Sequence, residues 1–249
     1  ETVYLGIRIA AILQAVTGTL QILKIDLIPI LLSGVMGIAR GLPEEAMVGS
    51  LGNNNFLAAW LAISLPFFLQ GRWRWLLPWF AFLLLWSHTT SAVVPAGVAV
   101  AVYVGLSRGR MKIVLTGIGA AVLAGTAYFW WDDAWHNTRF DYWTRVIGMM
   151  LESPATIIFG NGPGAAWGEK FPMHNEWLEL AFRYGAIGVC VAGGFLRSLD
   201  ASRPVLVAAL AAACINMAGN YPLHLAPSAF LIILIAGLMW REREREMEA

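Results

Sequence analysis

The sequence predicts an all-α fold, a polytopic transmembrane bundle of about eight helices, and three observations support this prediction. First, 58% of the residues are hydrophobic and only 13% are charged, whereas a soluble domain usually carries about 25% charged residues. Second, apolar runs long enough to cross a bilayer recur along the whole chain. Third, Lys and Arg collect in the short connections between those runs, as they do in membrane proteins.

Each predicted span is an apolar run close to the length of about 17–25 residues that a membrane-crossing helix needs. The runs are 3–23, 55–70, 73–87, 89–106, 111–131, 174–196, 203–220 and 222–240. The second and third runs are short, so we expect one of them to be tilted or partly interfacial. Segment 26–40 is apolar but is interrupted by Pro29, Gly34 and Gly37, which favours an interfacial or re-entrant piece.

The basic residues of the short loops predict the orientation of the bundle. With eight spans, the connections after the second, fourth, sixth and eighth runs share one face, which the excess of Lys and Arg marks as cytoplasmic. They contain Arg72, Arg74, Arg108, Arg110, Lys112, Arg197, Arg203, Arg241, Arg243 and Arg245. The loops 24–54 and 132–173 then lie on the external or periplasmic face.

The start of the chain and its composition set its expected extent and partners. Residue 1 is not Met, no signal peptide follows, and the sequence opens inside an apolar run. We therefore expect 1–249 to be a single transmembrane domain from the C-terminal portion of a longer protein. A net charge of +1 without a basic stripe argues against nucleic acid as a partner. Cys190 and Cys214 lie in apolar runs and imply neither disulfide nor metal site.

The external loop 132–173 is predicted to carry a short amphipathic helix. Thr138 and Asp141 have the spacing of a capping box, and Pro154 would end the helix after about Glu152. Arg139 falls on the apolar face, where its guanidinium would suit a phosphate. Snorkelling of Arg139 to lipid headgroups is the alternative. Arg145 falls on the polar face beside Asp141, and we interpret it as a solvated charge.

Two further features of this loop could serve a ligand. The segment Gly160–Gly164 is rich in glycine, and such a turn, with Gly162 and Gly164, lets backbone N–H groups approach a substrate. An ordinary turn uses the same residues. His174 opens the sixth run, where it could take a proton from a hydroxyl near neutral pH or could be purely structural.

A polar stripe continues from His174 into the sixth run. It consists of Asn175, Glu179 and Arg183, which are spaced four residues apart and so share one helix face. Glu179 and Arg183 form a natural i,i+4 ion pair, which lowers the cost of placing either charge in a span. The stripe is expected either to line a water-filled cavity or to brace the helix bundle.

Four motifs in order resemble the O-antigen ligase and polymerase superfamily. FGNGPG followed by HNEWLELAFRYGAIG resembles its C-terminal signature, and GSLGNNNFLAAWLAISLP its glycine-asparagine segment before a span. RFDYWTRVIGMMLESP resembles its arginine helix, and NYPLHLAPSAFLIILIAGLM its final span. Together they cover most of the chain from Arg40 onward.

The resemblance implies a metal-independent, cofactor-independent glycosyltransferase of the bacterial inner membrane with a periplasmic active site. It would move a glycan from an undecaprenyl-diphosphate-linked donor to an acceptor hydroxyl, on lipid A–core in lipopolysaccharide ligation. His174 matches the family's loop histidine, and Arg139 and Arg40 match its diphosphate-binding arginines. Asn175, Gly162 and Gly164 would contact substrate.

Two rival functions stay open at this stage. A polymerase of O-antigen or exopolysaccharide, or a protein oligosaccharyltransferase, would use the same donor with another acceptor. A transporter or a lipid-binding membrane scaffold would perform no catalysis. A transporter should have helices broken near the membrane midplane, whereas here the glycines and polar residues cluster in the external loop.

Overall fold

The computed structural model describes residues 1–25, 51, 53–87, 89–110, 117, 120, 138–163, 165, 175–219, 222–224 and 226–248. The described residues form helices and contain no β-strand, which confirms the all-α class. The α-helices are α1 (Thr2–Ile22), α2 (Asn54–Ser64), α3 (Leu77–Trp86), α4 (Thr90–Ser107), α5 (Thr138–Met150), α6 (Pro154–Phe159), α7 (Glu176–Ser198), α8 (Pro204–Met217) and α9 (Ala226–Glu248). Short 3₁₀ turns occupy Leu65–Phe68, Gly71–Leu76 and Pro222–His224.

The apolar runs of the sequence correspond closely to these helices. The first run is α1, the fourth is α4 and the seventh is α8. The second and third runs are partly 3₁₀, because Leu65–Phe68 extends α2 and Gly71–Leu76 precedes α3. The fifth run, apart from two helical positions, and the segment 26–40 lie outside the described residues.

Helix α2 forms the centre of the main hydrophobic core. Every residue from Leu57 to Ser64 is buried, which is expected of a helix that is apolar on all sides. Helices α1, α3, α4, α8 and α9 contribute to the same core cluster. The Asn53 side chain caps α2 by accepting from the Asn55 N–H, which gives one N–H group of the first helical turn a partner.

Small side chains bring α4 and α8 close together. Ala92, Ala96 and Ala99 of α4 and Ala209, Ala212 and Ala213 of α8 all belong to the main core. Small residues let two backbones approach and gain van der Waals contact, which is the usual basis of helix packing in membranes. The α4–α8 pair therefore needs few large side chains.

Hydrogen bonds near the helix ends define the relative direction of the last three helices. Trp177 near the start of α7 donates its Nε1–H to the Cys214 carbonyl near the end of α8, at 2.8 Å, so α7 and α8 are antiparallel. The start of α7 also contacts the turn before α9, and Arg243 of α9 donates to the Ser198 carbonyl at the end of α7. Helices α7 and α9 therefore run in the same direction.

Two of the described helices are long and apolar enough to cross a membrane. By length and composition α1 and α7 could each cross a membrane, while Asn54–Phe68, Ala92–Ser107 and Pro204–Met217 are shorter apolar helices. At 1.5 Å per residue α8 is about 21 Å long, less than the hydrocarbon thickness of about 30 Å. An eight-span bundle stays a prediction.

The loop helix forms nearly where the sequence predicts it, but its packed face differs. Helix α5 covers Thr138–Met150, and Pro154 begins α6 instead of simply stopping α5, because Ser153 caps α6 through a capping box. Among positions 141–150 of α5, Val146 is the buried residue, and it packs against Phe182 of α7. The predicted apolar face, from Arg139 through Trp143 to Ile147 and Leu151, did not include Val146, and its members Ile147 and Leu151 are exposed.

Candidate functional site

A long groove lies between α7, α8 and α9. Its volume is about 620 Å³, a size typical of ligand sites. The walls are apolar and include Leu180, Leu196, Leu210, Ala213, Ile232, Ala236 and Gly237. Polar side chains line one end of it, at the start of α7 and the turn before α9. The groove therefore has the form of an apolar channel with a charged mouth.

Glu176 is the buried carboxylate of this mouth. Only 7% of its surface is exposed, and its Oε1 accepts the Leu223 N–H at 2.7 Å and contacts the His224 Nδ1 at 3.2 Å. Two adjacent residues of the 3₁₀ turn thus bind one oxygen. Because a buried carboxylate is costly without such partners, these bonds hold the turn before α9 against the first turn of α7.

Glu179 and Arg183 form the second half of the mouth. Their side chains make an ion pair of 2.7 Å, which confirms the predicted i,i+4 pair. Arg183 also donates from Nη1 to the Pro163 carbonyl at 3.2 Å, and Glu179 lies 3.5 Å from the His224 Nε2. Both members of the pair line the groove, so this part of the polar stripe faces a cavity.

Helix α7 is broken at Gly185, two residues beyond Arg183 of the ion pair. Gly185 has φ 61° and ψ −159°, which lies outside helical geometry and is open to glycine. The carbonyls of Phe182 and Arg183 lie just before the break. These carbonyls accept the N–H groups of Asn161 and Gly162 at 2.8 and 2.9 Å, so a distant segment completes the hydrogen bonding of the broken helix.

The glycine turn after α6, at Gly160–Gly162, is in close backbone contact with this break. Gly160 has φ 72°, and a Cβ there would come within 2.4 Å of the Arg183 carbonyl carbon and oxygen. A Cβ on Gly185 would come within 2.4 Å of the Ile158 carbonyl oxygen. The two glycines therefore permit a backbone-to-backbone contact that joins the predicted external loop to α7.

The site residues predicted from the sequence meet different outcomes. Arg40, Gly164 and His174 lie outside the described residues, as does the side chain of Arg139, whose backbone lies in the first turn of α5. Asn175 caps α7, since its Oδ1 accepts the Leu178 N–H at 2.9 Å.

Gly162 is part of the glycine turn that is hydrogen-bonded to α7. Its N–H is bonded inside the protein and is not aimed at a ligand. A role of Gly162 or Asn175 in substrate binding stays a prediction that would require their other atoms.

Glu176 and His224 were not among the site residues predicted from the sequence. They are separated by 48 positions, and no local pattern joins them. A usable signal was the pair of glutamates, Glu176 and Glu179, at one helix start, because two carboxylates near an apolar run need partners. The Pro222–His224 turn, at the start of another run on the same predicted face, could supply one.

The mouth also has the residue types of a cation site. One ligand atom each from Glu176, Glu179 and His224 can be chosen within 4.8 Å of one another. The carboxylates already have partners, however: the Leu223 N–H and the imidazole at Glu176, and the Arg183 guanidinium at Glu179. The Arg183 guanidinium supplies the positive charge that a metal ion would bring. Both carboxylates therefore have hydrogen-bond or ion-pair partners within the protein.

Comparison with known proteins adds no identification. No protein family model matches the chain, and neither a curated protein nor a solved structure matches it. The likeness to O-antigen ligases and polymerases therefore depends on the four sequence motifs alone.

Proposed function

We propose that this chain is a metal-independent membrane glycosyltransferase that moves a glycan from an undecaprenyl-diphosphate-linked donor to an acceptor hydroxyl. The observation that carries the proposal is the groove between α7, α8 and α9, apolar along its length and polar at one end. A polyprenyl diphosphate has the same division into a long apolar chain and a charged head. The groove would hold part of the chain and leave the head at the mouth.

The surface of the molecule supports a lipid setting for this chemistry. Large apolar side chains are exposed along the helices instead of being scattered singly. They include Leu5, Ile9 and Leu13 of α1, Phe82 and Leu85 of α3, Ile187, Val191 and Phe195 of α7, and Phe230 and Ile233 of α9. Exposed apolar surface of this extent is expected where lipid or a partner covers it. An eight-span protein of the bacterial inner membrane, with the mouth on the periplasmic face, is the arrangement we propose.

A substitution that fills the groove tests the proposal. Gly237 lines the cavity, and a Cβ there meets no atom within 4 Å, so Gly237→Phe should extend into the channel without a clash at its base. The chain, reconstituted in nanodiscs, would be given radiolabelled undecaprenyl-diphosphate-linked glycan. We expect Gly237→Phe to weaken donor binding and slow the release of undecaprenyl diphosphate by about tenfold or more, equivalent to about 1.4 kcal/mol.

The matched control is Gly194→Phe. Gly194 is also a helical glycine with open space at its Cβ, but it does not line the groove. Its activity should equal that of the wild type. If both variants transfer glycan at the wild-type rate, the groove is not the donor site. Assays with lipid A–core and with a second lipid-linked repeat unit as acceptor then separate a ligase from a polymerase.

A second candidate, of another class, gains support from the break in α7. Broken helices near the membrane midplane are typical of transporters, and Gly185 lies nine positions beyond Glu176 within a candidate span. On this alternative the protein would bind or move a lipid without transferring a glycan. Transbilayer movement of a labelled polyprenyl diphosphate in proteoliposomes, with no glycan transfer, would favour it.

A further inference from the structure

We infer that His224 and Glu176 form an acid–base dyad at the mouth of the groove, with His224 as general base for the acceptor hydroxyl and Glu176 as its positioning residue. The inference rests on the proposed function and assigns the proton transfer in it. Nothing in the four motifs assigns a role to either residue. The argument comes from their contact, their burial and their place on the cavity wall.

The shorter of the two carboxylate contacts of the ring is the one to Nδ1, and it suits the tautomer that a base needs. Glu176 is held by the Leu223 N–H and contacts the His224 Nδ1 at 3.2 Å. In the tautomer that donates from Nδ1 to this carboxylate, the neutral ring has its lone pair on Nε2, and this is the form that we assign to the base. A buried carboxylate that orients an imidazole in this way is the arrangement of known catalytic dyads.

The positions of the two side chains match these roles. Glu176 is 7% exposed, whereas 50% of the His224 side chain is exposed, and both line the groove. A substrate hydroxyl can therefore approach the ring but not the carboxylate behind it. The sugar of a donor whose lipid chain lies in the channel would be at this end of the groove.

Two carboxylates face the ring from α7. Glu176 and Glu179 face it from α7, with Oε1 atoms 3.2 Å from Nδ1 and 3.5 Å from Nε2. Arg183 is the other charged group that lines this mouth, and it is paired with Glu179. An imidazolium formed during the proton transfer would therefore lie between two groups of opposite charge, which attract it.

The proposed step conserves atoms and electrons. The acceptor O–H bond breaks, its proton moves to the His224 Nε2, and the oxygen electron pair forms a bond to the anomeric carbon of the donor sugar. The bond from that carbon to the diphosphate oxygen breaks at the same time, and its electron pair leaves with undecaprenyl diphosphate. The imidazolium then releases its proton to solvent.

The test compares two variants of His224 in the nanodisc transfer assay. His224→Asn places an amide N–H near the position of Nδ1, so it keeps a donor for Glu176 but has no base. We expect it to lower kcat by about 10²–10⁴-fold while the affinity for donor stays unchanged. His224→Ala should lose activity to a similar degree and regain part of it when imidazole is added to the buffer.

Further variants separate positioning from folding and from metal binding. Glu176→Gln keeps an acceptor for the Leu223 N–H, and we expect it to lower kcat by a smaller factor without changing donor affinity. His136→Asn, in the predicted external loop, controls for the loss of a histidine. His174→Ala is measured in parallel, since the family resemblance assigns proton transfer to His174. Treatment of the wild type with EDTA should have no effect.

Each outcome bears on a different claim. Wild-type rates in His224→Asn would show that only the bond to Glu176 matters, and would overturn the dyad while leaving glycan transfer established. Loss of activity without rescue by imidazole, or loss on treatment with EDTA, would also overturn it. A wild-type chain that transfers no glycan would overturn the proposed function, and the dyad with it.

Discussion

The two arginines of α5 differ in the helix face that they occupy. At 100° per residue, position 139 falls within about 20° of Val146, whose side chain packs on Phe182 of α7. Arg145 is exposed. The face that carries position 139 is therefore the face turned toward the helix that bears the candidate site.

We predict that Arg139→Lys loses activity and Arg145→Lys does not. Lysine keeps the charge but lacks the planar fork that binds a phosphate through two N–H groups. The loss of one charge-assisted hydrogen bond, worth about 1.5–3 kcal/mol, should slow glycan transfer by about tenfold or more. The measurement is the transfer rate at matched membrane levels of protein. Equal effects in the two variants would exclude Arg139 as a specific phosphate ligand.

At the scale of elements, the contact between the glycine turn and α7 connects the predicted external loop to the other helices. Its strength should depend more on the closeness of the two backbones than on backbone strain alone. Gly160 and Gly162 separate these effects, because both have positive φ, but only Gly160 is crowded at the place of a Cβ.

We predict that Gly160→Ala destabilises the protein more than Gly162→Ala. A side chain at positive φ costs about 1–3 kcal/mol in either variant, and the clash with Arg183 adds to this cost only at Gly160. Thermal unfolding in detergent, followed by tryptophan fluorescence, measures the difference. Similar melting temperatures for the two variants would mean that the close approach does not hold the loop in place.

The sequence predicted the features that depend on near neighbours. The pairing of Glu179 with Arg183 follows from one helical turn, and the end of α5 follows from Pro154. The break in α7 was not predictable in this way. Gly185 is one of several glycines in that run, and its conformation depends on the amides of Asn161 and Gly162, which arrive from another segment.

The contact of Glu176 with His224 is a second case of this kind. Each residue follows a different loop, and the contact exists because α7 and α9 begin side by side. A resemblance centred on the HNEWLEL motif directs attention to His174, whereas the partner of Glu176 comes from the turn before α9. Contacts between helices that are not consecutive leave no periodic pattern in the sequence.

At the scale of the whole molecule, the distribution of basic loops can be checked against the structure. Arg74 and Arg108 come from separate connections and line a common surface groove. Arg243 reaches the end of α7 at Ser198, next to Arg197. These basic connections therefore associate in pairs, which agrees with loops that share one membrane face.

We predict that Ser107 lies on the cytoplasmic side and Glu152 on the external side. Both residues are exposed, so a cysteine at either position is accessible once the reagent reaches that face. In a background in which Cys190 and Cys214 are replaced by Ala, an impermeant maleimide should label Glu152→Cys in intact spheroplasts. Ser107→Cys should react only after permeabilisation. Labelling of Ser107→Cys in intact spheroplasts would reverse or reject the topology.

The bond between Glu176 and the turn before α9 also sets the earliest time at which the mouth of the groove can form during synthesis. Its two partners are 47 residues apart, and at about 5–20 residues per second the ribosome needs about 2–9 s to make that distance. During this interval α7 has emerged while its acidic end has not met the turn that binds it. The mouth of the groove thus assembles only after the turn at Pro222–His224 has been made, and a chain that stops before residue 222 lacks it.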